Sequence, residues 1–166
     1  MRMRPAVAVV LLLVSTAMIG QSTQAGVLKA SDLHAAVPAS FFFHGQAAPT
    51  QLRNSVGIRN ADGKILIAGL VDTAGYASGV VEKFQGFLIT ETKVEIEGTT
   101  LGPGAYGMGF TKDGKFVVMD VGGNEVLSVA AKSDSKLAHP VPLKVNQADG
   151  DYQLYAGNHW VEIHLP

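Results

Sequence analysis

The side chains best spaced for chemistry lie near the C-terminal end, in His159-Trp160-Val161-Glu162-Ile163-His164-Leu165. A β-strand sends successive residues to opposite faces. Trp160, Glu162 and His164 therefore share one face, and His159, Val161, Ile163 and Leu165 share the other. A carboxylate beside an imidazole on one face is equipped for proton transfer, which makes Glu162 and His164 the candidate catalytic pair. Hydrolysis would also need a nucleophile or a metal. Neither G-x-S-x-G nor H-E-x-x-H occurs, and in Gly75-Tyr76-Ala77-Ser78-Gly79 the serine stands one position late for a nucleophile elbow. An ordinary solvated sheet face with one aromatic explains the same residues, so binding is favoured over catalysis.

His159 lies on the apolar side of its strand, where a histidine is usually a satisfied core residue. A hollow barrel would change that, making His159 a polar handle inside a ligand cavity. His159, Trp160, Tyr106 and Tyr155 form the candidate ligand-binding set. His159 and His164 differ by five positions and fall on opposite faces, so no metal site is assigned.

Two phosphate-binding patterns fail on context. Gly102-Pro103-Gly104-Ala105-Tyr106-Gly107 satisfies G-x-G-x-x-G, but Met108-Gly109-Phe110 leads into a hairpin, whereas the fingerprint must open a helix. Gly109 to Lys115 fits the start of a P-loop, yet Phe116 stands where a hydroxyl should meet magnesium. No cofactor is assigned. The 13 basic and 14 acidic residues form no basic stripe, which argues against nucleic acid as a partner.

The elements that must position these residues are read from the punctuation of the chain. Met1-Arg2-Met3-Arg4 precedes an uncharged stretch up to Lys29, whose strongly apolar part ends near Ile19. That is a signal-peptide pattern, too short for the about 20 apolar residues of a membrane span, with cleavage expected after Ala25. Its removal takes the net charge from −1 to −3, because two arginines leave with it. No transmembrane anchor is expected afterwards, and with no cysteine in the chain, neither disulfides nor an N-terminal lipid thioether are available. The expected location is secreted or periplasmic.

Residues 26–40 form an N-terminal segment, with one or two helical turns capped by Ser31 and ended by Pro38. Residues 41–166 are expected to form one all-β domain, a single antiparallel β-sandwich or closed β-barrel of about 8–10 strands. Leu52, Val56 and Ile58 are expected on one side of a first long strand. In Lys64–Val71 both faces are apolar, which requires cover on two sides: the N-terminal segment, a bound ligand or a second subunit in a homodimer. Phe41-Phe42-Phe43 reads as a buried edge in which all three rings cannot point inward. Phe87 and Ile89 are odd-numbered, while Val94 and Ile96 are even-numbered, so Thr90-Glu91-Thr92 must hold a bulge, bend or turn.

The preferred function is a non-enzymatic extracytoplasmic β-domain that binds a small apolar or mixed ligand or an envelope protein. The alternatives are an enzyme with its site near Glu162 and His164, and a small outer-membrane barrel. Strands such as Lys93–Glu97 alternate as a membrane barrel requires, but fall short of the about 9–11 residues needed to span.

Overall fold

A computed structural model describes residues 24–166. The expected signal segment therefore lies almost wholly outside the described residues. The described chain is built from strands β1 (Gly26–Val27), β2 (Ser40–Phe43), β3 (Gln46–Arg59), β4 (Ile65–Val71), β5 (Gly86–Thr90), β6 (Val94–Ile96) and β7 (Thr99–Leu101). It continues through β8 (Gly104–Phe110), β9 (Lys115–Met119), β10 (Glu125–Ala130), β11 (Lys132–Ser133), β12 (Val141–Ala148), β13 (Asp151–Gly157) and β14 (His159–His164). Two short helices, α1 (Ala30–Ala36) and α2 (Ser78–Val81), complete it. The strands outnumber the expected 8–10, because two- and three-residue pieces such as β1 and β11 carry no apolar run to announce them.

All pairings are antiparallel and fall into two sheets. The larger runs β1-β3-β4-β5-β8-β9-β10, with β2 added to the far half of β3; the smaller runs β12-β13-β14-β6-β7, with β11 beside β14. Both keep free edges. The arrangement is a sandwich; the closed-barrel alternative is corrected, and with it the hollow interior that would have lodged a ligand beside His159. The closure an outer-membrane barrel requires is likewise not formed among the described residues.

The bend expected at Thr90-Glu91-Thr92 is where the chain changes sheet, but its premise is corrected: Phe87 is buried beneath the N-terminal segment and Val94 and Ile96 between the sheets, so the two pairs never share a face. Thr90 still pairs with Leu66 and Gly104 in the larger sheet, while Val94 already pairs with Leu101 in the smaller. The Thr90 hydroxyl donates to the Thr92 carbonyl at 2.7 Å and closes the bend. Gly102 and Pro103 carry the chain back, so the β6–β7 hairpin is an excursion between two neighbours of the larger sheet.

The two faces of β4 are buried in two different cores. Leu66 and Ala68 join Leu88, Val118, Leu154, Val161 and Ile163 between the sheets. Ile67 and Val71 join Phe41, Phe43, Phe84 and Phe87 on the far side. That side is covered by the chain itself, through Leu28, Leu33 of α1, the β2–β3 hairpin and the segment before β5. Neither a ligand nor a second subunit is needed for it. Phe43 and Phe84 stack with centroids 3.9 Å apart, and each buried ring contributes roughly 1.5–3 kcal/mol from burial. Gly107 makes room for them: a Cβ there would stand 2.5 Å from the Phe43 ring.

Phe41 and Phe43 are buried while Phe42 is 57 % exposed, as the pleat demands. Two local expectations are corrected. Lys29, not Ser31, takes the N-cap position of α1, without a side-chain hydrogen bond, because the helix starts at Ala30, two residues earlier than a cap at Ser31 would place it. Leu52 does not share a face with Val56 and Ile58, because the register breaks between Thr50 and Ser55. There Gln51 donates from Nε2 to Val71 O, and Ser55 donates to Gln51 O, leaving Leu52 exposed.

Candidate functional site

With one face of the larger sheet against the smaller and the other beneath the N-terminal segment, the outer face of the smaller sheet is left facing solvent. On β14, Val161 and Ile163 are buried inward, whereas Glu162 and His164 are exposed outward and Trp160 is half-buried beside them. On β13, Tyr152 and Leu154 face inward, and the register sets Tyr155 opposite Trp160 and Gln153 opposite Glu162. The expected sharing of one face by Trp160, Glu162 and His164 is therefore realised.

Two clusters occupy this face. In the first, Tyr155 and Trp160 stack with centroids 5.8 Å apart. From the other neighbouring strand, β11, Lys132 Nζ lies 4.6 Å from the centre of the Trp160 ring. The same ammonium is 3.0 Å from Glu97 Oε2 and 4.0 Å from Glu162 Oε2. Burial first, and the nearby Asp134 carboxylate second, raise the Tyr155 phenol above its ordinary value, so it remains neutral through the physiological range.

In the second cluster, His164 Nδ1 and Asp151 Oδ1 are 2.6 Å apart. They sit with Glu95, Glu97, Gly98 and Glu162 around a groove of about 300 Å3. Glu95 faces His164 across the β6–β14 pairing. Four carboxylates and one imidazole thus converge, with no hydroxyl or thiol among the lining side chains. Nevertheless, no three His, Asp or Glu side chains among the described residues are placed to hold a metal ion.

No family model, curated protein or solved structure matches this chain.

Glu97 is held with unusual firmness. It adopts a left-handed φ of 47° at the head of the Glu97-Gly98 turn, a conformation that costs a non-glycine residue energy unless its surroundings enforce it. Its amide donates to Glu162 O at 3.0 Å, and its Oε1 accepts from the Glu162 amide at 2.7 Å. The short β6–β7 hairpin is thereby hooked onto β14.

The four candidate ligand contacts are not brought together as one set. Tyr155 and Trp160 adjoin each other. His159 stands half-buried at the start of β14, opposite Ala156 and Ser133. Tyr106 belongs to the larger sheet, at the margin of the inter-sheet core, with its hydroxyl donating to Gly102 O at 3.1 Å. Sequence reasoning missed Asp151, Glu95, Glu97 and Lys132. Asp151 was within reach by counting: the two-residue connection Gly157–Asn158 pairs Ala156 with His159 and Tyr152 with Ile163, and one further step sets Asp151 beside His164. Lys132 carried no signal, since β11 is two polar residues long.

Proposed function

We propose that this chain is an extracytoplasmic, non-enzymatic β-sandwich that binds a cationic small ligand, or a basic segment of an envelope protein, through the open face of its smaller sheet. The observation that carries this reading is the groove in which Glu95, Glu97, Asp151 and Glu162 surround His164. Converging carboxylates attract cations and repel anions, steering that is strongest at low ionic strength. The basic and then apolar N-terminus supports export, and no helix among the described residues is long and apolar enough to cross a membrane.

Trp160 is the single tryptophan of the chain, so its fluorescence reports on this face. The test is titration of residues 26–166 with pentalysine and, separately, pentaglutamate. Saturable change with pentalysine alone, weakened by salt, supports the reading. No change with pentalysine, or an equal response to both peptides, overturns it.

A second reading is favoured by the His164–Asp151 pairing, in which a carboxylate orients an imidazole as in acid–base catalysis. The groove lining supplies no hydroxyl or thiol nucleophile, so such an enzyme would act through a carboxylate or through water activated by His164. Hydrolytic activity abolished by His164→Ala would establish this reading in place of the first.

A further inference from the structure

We propose that the Trp160 ring, Glu97 and Glu162 form an ammonium subsite that the chain's own Lys132 fills in the free protein, and that an alkylammonium group of the ligand binds by displacing it. This rests on the cationic-ligand reading above and specifies how that face recognises its ligand.

An aromatic face flanked by carboxylates is the chemistry that holds an ammonium, and here such a site is already occupied. Lys132 Nζ is 4.6 Å from the ring centre, 3.0 Å from Glu97 and 4.0 Å from Glu162. Its side chain is 43 % exposed, so each contact is weak and reversible. Leaving requires only a rotamer change. The backbone on either side is tied independently, by Ala131 N donating to Gly114 O and Asp134 N donating to Asn158 O, both at 2.8 Å.

The acceptor stays in place when the lysine leaves. Glu97 is only 18 % exposed, and its other oxygen, Oε1, is engaged by the Glu162 amide. Glu97 Oε2 therefore remains aimed at the vacated position. A ligand ammonium entering there would meet a preorganised site, while Lys132 would extend into water at little cost.

The test compares pentalysine affinity, read by Trp160 fluorescence at low salt, in the natural protein, Lys132→Met and Lys144→Met. Lys144 lies on the same sheet face opposite Tyr155 and pairs with no carboxylate among the described residues, so it controls for the loss of a positive charge. Lys132→Met should bind about fivefold more tightly, from removal of one cation–π contact and two partly exposed ion pairs, and Lys144→Met should change less than about twofold. Equal gains in both variants, or no gain in Lys132→Met, overturn the displacement proposal while leaving the acidic-face reading standing. If none of the three proteins binds pentalysine, the acidic-face reading fails and this proposal fails with it.

Discussion

Asp151 and His164 meet at 2.6 Å between neighbouring strands, although thirteen positions separate them in the chain. The pairing is a consequence of hairpin register: two short turns set β12, β13 and β14 side by side, and the outward residues follow. Both partners are substantially exposed, and an exposed pair of this kind is worth about 0.2–1 kcal/mol. Asp151→Asn should therefore lower unfolding free energy by no more than about 1 kcal/mol in urea denaturation. A much larger loss would show that the pair is part of the fold rather than part of an accessible face.

Adjacent phenylalanines should respond oppositely. Phe43 is fully buried against Phe84, whereas Phe42 points to solvent. Phe43→Ala should cost about 3–5 kcal/mol, and Phe42→Ala should stay within about 0.5 kcal/mol of the natural protein. Urea midpoints with unchanged slopes would check both.

Gly107 should tolerate no side chain while Phe43 is present, because a new Cβ would stand 2.5 Å from that ring. Gly107→Ala is expected to destabilise by about 1–3 kcal/mol. Combined with Phe43→Leu, the loss should be less than additive, since the two residues compete for one space. A strictly additive double-mutant cycle would contradict the packing described.

The turn after β9 should carry a pH signature. Asn124's side chain, followed by the Asn124 amide and other turn amides, bonds the Asp120 carboxylate and lowers its pKa. A depressed carboxylate contributes stability above its unfolded value, and that contribution is lost as pH falls through the folded one. The amide resonances of Gly122 and Asn124 should therefore titrate with a midpoint below the ordinary about 3.9 of aspartate. A midpoint at or above that value would contradict the turn.

Export is testable directly. Cleavage after Ala25 would make Gly26 the first residue, leaving β1 intact in its pairing with Arg59. N-terminal sequencing of the protein recovered from outside the cytoplasm should begin at Gly26-Val27-Leu28; a chain retaining Met1 would refute the assignment.

The all-β class was legible because turn residues punctuate short apolar runs. Gly63, Gly114, Gly123 and Gly150 all take positive φ at turns marked by composition. The change of sheet after Thr90 was not legible as parity: Phe87 and Val94 are buried in different cores, which an unbroken pleat also allows. The Glu162–His164 face was legible, because successive strand residues face opposite sides. These are local properties, dictated by a period of two and by the backbone freedom of glycine.

Other features depend on residues far apart in sequence. Nothing in Lys64–Val71 says what covers its second face; that Leu28, Leu33, Phe41 and Phe43 do so follows from folding the N-terminal segment back across the larger sheet. The gathering of Glu95 and Glu97 beside Asp151, Glu162 and His164 likewise depends on the β6–β7 excursion docking against β14. Alternation along a strand decides which way a side chain faces. Which strands become neighbours, and hence which charges meet, is decided by burying both apolar faces of the larger sheet at once.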